Sequence, residues 1–218
     1  MKRLSVTQLS RGLVTALCLV LLGACGSLPT AATPPAVFYA LEGTPGAVRA
    51  ATAANAPAAA PTLLVNPTHA AAGFDSPRII YVRAPHKLEY FAHSEWVDPP
   101  ARMLAPLLVA ALAGSGAFRA VMLTPSAAAG DLRLDTEIVR LQHEFQAQPS
   151  RVRFTLRAYL VDDKTRRVLA WREFDAAVPA ASEDPYGGVV AANRAVQTVL
   201  ESLSVFCAEA ARSAPIVK

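Results

Sequence analysis

Four groups of side chains in this sequence have types and spacings that could do chemistry. His86, Glu89 and His93 are metal-ligand types, and on a helix their spacing would bring them near one face. The stretch around them, Lys87 to Trp96, alternates as a strand with Leu88, Tyr90 and Ala92 on one side, so His86 would oppose the other two. Solvated polar residues are the default reading, and no metal is expected. The acid pairs Asp162-Asp163 and Glu183-Asp184 could serve acid–base catalysis, but both sit in turn contexts where capping and solvation explain them. Arg151, Arg153 and Arg157 fall on one side of a strand, where they could meet an acidic partner or a lipid phosphate. Cross-strand pairing with Asp135, Glu137 or Glu144 is the commoner fate of such a row. Gly114-Ser115-Gly116 ends a helix rather than cradling a phosphate, because its spacing and the strand after it are wrong for a phosphate loop. There is no dinucleotide fingerprint and no nucleophile elbow, so no catalytic residue and no cofactor are expected.

The elements that would position these residues read as an α/β fold. Strands are expected at Val37–Leu41, Thr62–Val65, Arg78–Arg83, Lys87–Trp96 and Phe118–Leu123. The clearest β signal runs from Asp131 to Phe145. Leu132, Leu134, Thr136 and Ile138 hold the even positions, then Val139, Leu141, His143 and Phe145 hold the odd ones, and this change of phase calls for a β-bulge. Arg151 to Val161 returns with Val152, Phe154, Leu156, Ala158 and Leu160 inward. A turn at Asp162–Thr165 leads to a third strand, Arg166–Ala177, completing an antiparallel meander.

Two helices complete the pattern. The first starts at Asp98-Pro99-Pro100, with Asp98 as the expected N-cap, and its uncharged body carries a stripe of Leu104, Leu107, Leu108 and Leu112. Its apolar character on more than one side allows either a place inside a layered core or contact with another protein. Pro106 should kink it or mark its boundary. The second opens at Asp184-Pro185, and Val189, Ala192, Val196, Val199, Leu200, Leu203, Phe206, Cys207 and Ala210 step along one face. The expected architecture is a mixed, largely antiparallel sheet with a central meander and two main helices packed on it as a layered sandwich.

The amino terminus has a different logic. Lys2, Arg3 and Arg11, then an apolar run to Leu22, give the charged, apolar, small-residue order of a secretory signal over residues 1–24. The run is too short to span a bilayer. Its ending, Leu22-Gly23-Ala24 into Cys25, resembles the lipobox of bacterial lipoproteins. That resemblance implies cleavage before Cys25, a diacylglycerol thioether on its sulfur and further acylation, two or three chains being needed for durable anchoring. Gly26, not being Asp, implies sorting to the outer membrane. Removing 1–24 takes three of the 21 basic residues and none of the 17 acidic ones, so the apparent basicity belongs mostly to the targeting segment. A nucleic-acid surface has little support. Cys18 then leaves with the signal and Cys25 carries lipid, so Cys207 has no partner within its chain and is expected as a buried, inert thiol. Residues 25–35 read as a Pro-rich tether, 36–212 as one periplasmic domain with an Ala/Pro-rich loop at 47–61, and 213–218 as a tail.

The lipobox, Phe38-Tyr39-Ala40-Leu41 after the tether, Glu95-Trp96-Val97-Asp98-Pro99-Pro100 leading into an apolar helix, Gly116-Ala117-Phe118 before a strand, and the closing Asp184-Pro185-Tyr186 helix together resemble the ABC-type transport auxiliary lipoproteins, the PqiC/YmbA-like family. The resemblance implies helices on a mixed sheet, a place in the Gram-negative envelope, and service to MCE-type ABC systems that move lipids between membranes. It supplies no catalytic residue. The partners it implies are the membrane, reached through Cys25, an MCE-domain protein and its ABC permease and ATPase; the oligomeric state is open, a homo-oligomer included. Two other classes stand beside it: a structural or regulatory envelope-assembly lipoprotein, and an envelope hydrolase.

Overall fold

The computed structural model describes residues 34–43, 57 and 59–213, and the chain divides into two compact units, Met1–Pro35 and Ala36–Lys218. Cys25, the signal segment, the tether and most of the Ala/Pro-rich loop lie outside the described residues. Among the described residues of the second unit, the order is β1 (Val37–Tyr39), β2 (Thr62–Val65), β3 (His69–Ala70), β4 (Arg78–Val82), β5 (Glu89–Trp96), α1 (Pro100–Gly114), β6 (Ala120–Leu123), β7 (Leu132–Glu144), β8 (Arg151–Asp162), β9 (Val168–Pro179) and α2 (Pro185–Ser213). The two-residue β3 falls outside the strands expected from the sequence. Two residues are too few to carry an alternation, and the pairing itself makes the strand.

The sheet is built on β7, whose 13 residues extend roughly 40 Å. Along one side it pairs antiparallel with β8 from Leu132–Asp162 to Glu144–Arg151, and β8 pairs antiparallel with β9. Along the other side three short strands line up parallel to it in succession. Leu63–Val65 lies beside Leu132–Leu134, His69–Ala70 beside Glu137–Ile138, and Tyr81–Val82 beside His143–Glu144. β5 folds back antiparallel on β4, and β1 and β6 run parallel to β5 and β2. The long pairings are antiparallel and the short ones mostly parallel. At the predicted phase change the β7–β8 register slips between Ile138 and Arg140, leaving Val139 as the extra residue that keeps both halves of β7 facing the core.

Both helices share one core with the sheet. The α2 side chains Val196, Val199, Leu203 and Cys207 and the α1 side chains Leu104, Leu108 and Leu112 are buried with Leu134, Ile138, Phe154, Leu156 and Leu160. On α2 the turn of buried residues ends on Ala211 rather than Ala210, which is only partly covered. The helices touch where Ser204 Oγ donates to the Ala111 carbonyl (3.3 Å). The chain after β1 crosses both. Leu41 N–H points at Met103 Sδ (3.4 Å), while Asn193 accepts from Glu42 N–H (2.7 Å) and donates to the Ala40 carbonyl (3.3 Å). A β-carbon on Gly43 would sit 3.2 Å from Leu107 Cδ2, so this crossing covers the second apolar side of α1.

The helix starts differ. At α2 Asp184 Oδ1 accepts from Gly187 N–H at 2.7 Å, as its position before proline predicts, and that bond holds its carboxyl below the usual range. At α1 the expected cap is not made. Pro99 is the N-cap residue, without a side-chain cap, and Asp98 instead reaches Arg102 at 3.4 Å. Pro99 and Pro100 have no N–H to satisfy and the Arg102 N–H is met by the Pro99 carbonyl (2.9 Å), so little is lost. Pro106 lies inside an unbroken helix on its exposed side, where the carbonyl deprived of its N–H partner can meet water.

Candidate functional site

The arginine row forms as predicted, but its charge is met within the sheet. Arg151 and Arg153 donate to Glu144 (2.9 and 3.1 Å), Arg153 also to Asp175 (2.6 Å), and Arg157 to Glu137 (3.1 Å) and Glu173 (2.9 Å). Asp135, one of the predicted partners, accepts instead from Asn66 Nδ2 (2.5 Å). Two of the acids come from β9, whose register decided what faces the arginines. Burial pushes the Glu144 carboxyl up; hydrogen bonds from Arg151 and Gln142 and the charge of Arg153 outweigh it, so the group lies below the usual carboxylate range. Next to this ladder Trp171 stacks on Tyr159 with centroids 6.2 Å apart, and it is 62% exposed. The sheet surface there combines a large aromatic with a neutralised Arg/acid lattice.

Of the α1 leucines that the sequence left open between a core place and a protein contact, Leu104, Leu108 and Leu112 are fully buried in the core, and Leu107 is half covered. The helix therefore offers a partner only what lies beyond that stripe. His86, Glu89 and His93 do not converge as ligands. Glu89 is held by Arg83 (2.6 Å) and Lys87 (3.2 Å), and its hydrogen bond with Arg83 lowers the carboxyl to about 2. Among the described residues no group of three His, Cys, Asp or Glu side chains has metal-site geometry. Of the paired acids, Asp162 accepts from Thr165 N–H (2.6 Å) and Asp184 caps α2, while Glu183 accepts from Ser150 N–H (2.9 Å). Asp163 pairs with Arg133.

One constellation was missed by sequence reasoning. His143 on β7 and Ser150 before β8 are both buried, and His143 Nε2 lies 2.7 Å from Ser150 Oγ. A serine bonded to an imidazole with a carboxylate nearby suggests a nucleophile and its base, yet the geometry argues otherwise. Glu183 holds the serine's backbone rather than the imidazole, and His143 Nδ1 has no hydrogen-bond partner. The tautomer with its proton on Nε2 leaves only a lone pair bare, and in that form Nε2 donates to Ser150 and cannot accept its proton. Nδ1 faces the first turn of α2, where a β-carbon on Gly188 would sit 2.6 Å away, and the adjoining cavity of about 10 Å³ has room for no substrate. His143 and Ser150 lock β7, the following turn and α2 together. Their sequence signal was only the inward phase of His143 on β7.

A larger groove of about 410 Å³ lies between Pro57, Ala59 to Pro61, Ser115 to Ala117, and Ala208, Ala211 and Arg212; small residues line it and Arg212 supplies its charge. Cys207 is buried, and burial pushes its thiol up to about 12, as expected for an inert side chain.

The mixed sheet and its two helices define an α/β protein, and among the described residues His143, Ser150 and Glu183 do not form a catalytic set. The ABC-type transport auxiliary lipoprotein component family matches residues 39–204, and the chain belongs to that family. Protein XCC0632 from Xanthomonas campestris is similar over 82% of this chain and 98% of its own, with 26% identity and a TM-score of 0.69. The hypothetical protein CT253 from Chlamydia trachomatis shares the fold at 9% identity, covering 72% of this chain and all of its own, with a TM-score of 0.51. No curated protein matches the chain.

Proposed function

We propose that the protein is the lipid-anchored auxiliary subunit of an MCE-type ABC lipid transport system, held at the periplasmic leaflet of the outer membrane through Cys25. It works by docking or gating, without covalent chemistry. The observation that carries this reading is the family match across nearly all of the folded unit, from β1 to the third quarter of α2. ATP hydrolysis then belongs to a separate subunit. The docking surface is the outer face of the meander, with Trp171 as its aromatic anchor and Arg151, Arg153 and Arg157 as its polar surround, because exposed Trp beside Arg is the composition that dominates binding energy.

The test is a pull-down of the protein with the periplasmic part of an MCE-domain protein from the same cell envelope. A complex is expected, and Trp171→Ala should weaken it at least about tenfold while barely altering thermal stability. Since the arginines are already paired, moderate salt should leave the complex largely intact. No complex at any salt, together with a hydrolytic turnover abolished by one point mutation, would replace the docking reading with an enzymatic one.

A further inference from the structure

We infer that the β4–β5 hairpin is a second membrane contact, a basic and aromatic tip that rests on an anionic lipid surface. The inference deepens the function proposed above and rests on its Cys25 anchor. Its ground is where the chain enters the fold. β1 runs parallel to β5, with Val37 beside Ser94 and Tyr39 beside Trp96, so the chain arrives at Ala36 from the side toward which β5 recedes to Glu89. At about 3.3 Å per residue, Glu89 lies roughly 17 Å back along that direction from Ser94, and the turn preceding it lies at the same end. The ten residues between Cys25 and Ala36 give eleven steps that can span at most roughly 40 Å, so a lipid on Cys25 and the hairpin tip can meet the same bilayer.

The composition of the tip suits a bilayer interface. From Arg78 to His93 the chain carries Arg78, Arg83 and Lys87 and two imidazoles against the single carboxylate of Glu89. Arg83 and Lys87 share that carboxylate, leaving one positive charge uncompensated at the tip. Their side chains stay exposed at 60% and 65%. Arg78 lies over the Tyr90 ring (4.8 Å) and faces Glu95 across the strands, so the excess charge is concentrated at the tip rather than the base. Leu88 and Tyr90 are exposed there at 41% and 39%, behind which Tyr81 and Phe91 pack at 4.6 Å. Exposed apolar and aromatic groups flanked by cations are the arrangement that partitions into headgroups, the rings and leucine entering while the cations meet phosphate. The ring pair beneath keeps the tip stiff, so insertion costs little ordering.

The test uses the full lipidated chain in vesicles of phosphatidylethanolamine with phosphatidylglycerol. An environment-sensitive thiol probe is placed by Leu88→Cys and, as control, by Leu123→Cys, which is equally exposed at 42%. Leu123 is aligned through Val65 with Leu134, about 30 Å along β7 from the hairpin end. Cys207, buried with its thiol pushed up to about 12, will not take the label. The expected result is a blue shift at position 88, quenched by headgroup-depth nitroxide lipid, with none at position 123. Salt near 0.5 M, which cuts the screening length to roughly 4 Å, and the Arg83→Ser/Lys87→Ser pair should each move the signal back toward its value in water. A chain that floats with the vesicles while the position 88 label stays as wet as the control would overturn the hairpin contact alone. A chain that does not float would overturn the anchor and the hairpin together.

Discussion

At the scale of single residues most polar side chains are met in pairs, and among the described residues His143 Nδ1 is one of three buried polar atoms without a hydrogen-bond partner. Burial lowers the His143 pKa from 6.5, more than Glu183 and Asp184 raise it, which favours the neutral ring, and the first turn of α2 presents its positive end to Nδ1. Around it lie also the rings of Phe91 and Phe145 and the hydroxyl of Ser150. A histidine whose folded pKa is depressed leaves the unfolded chain holding more protons below its ordinary value, so stability falls as pH drops through 6.5 toward the folded value. Denaturant midpoints measured from pH 7.5 to 5.5 should therefore decline, with a contribution from this group of at most about 1.4 kcal/mol per pH unit. His143→Gln should flatten that part of the profile even if it lowers stability overall. An unchanged slope in the variant would move the pH dependence elsewhere. The sequence placed His143 inward by alternation alone; Ser150 and Gly188 reach it only because the turn and α2 fold back onto the end of β7.

At the scale of elements, local pattern and tertiary context each decided some outcomes. The bulge at Val139 was written in the sequence, because a change in the parity of apolar residues on one strand has few other solutions. The same holds for α2, whose cap and apolar stripe agree from Asp184 to Cys207. Leu203 lies in that stripe with no exposed surface, and Leu203→Ala should cost about 2–5 kcal/mol from lost burial and the cavity left behind, read from chemical denaturation. Unchanged denaturation would make α2 peripheral to the fold. The first helix was less legible. Its leucine stripe fitted both a core and a contact surface, and only the approach of α2 and the chain crossing at Leu41–Gly43 closed it over.

At the scale of the whole molecule, the folded unit is assembled around β7, and the function proposed for it requires that the unit be held at a membrane. Cys25→Ala should leave the protein unlipidated, and palmitate label still entering the variant would end the anchor reading. Gly26→Asp should shift the protein from outer- to inner-membrane fractions in a density gradient, as lipoprotein sorting implies. On the readings proposed above, the meander's outer face turns toward a protein and the β4–β5 hairpin toward lipid. The pull-down with Trp171→Ala and the position 88 label test them independently, since the two surfaces belong to different strands.

Alternation and stepping fixed by backbone geometry were readable in the linear order. Period-two and period-3.6 patterns defined the meander and α2, and the order of loose motifs from Phe38 to Tyr186 pointed to the family that the match over residues 39–204 then showed. Pairings between distant segments were not readable. Which acids meet Arg153 and Arg157, which strand lies beside Tyr81–Val82, and what buries the stripe of α1 all depend on residues tens of positions apart. No local periodicity encodes such neighbours. They are chosen by register and packing, where the burial of one shared core decides among arrangements that the chain's local preferences leave equally open.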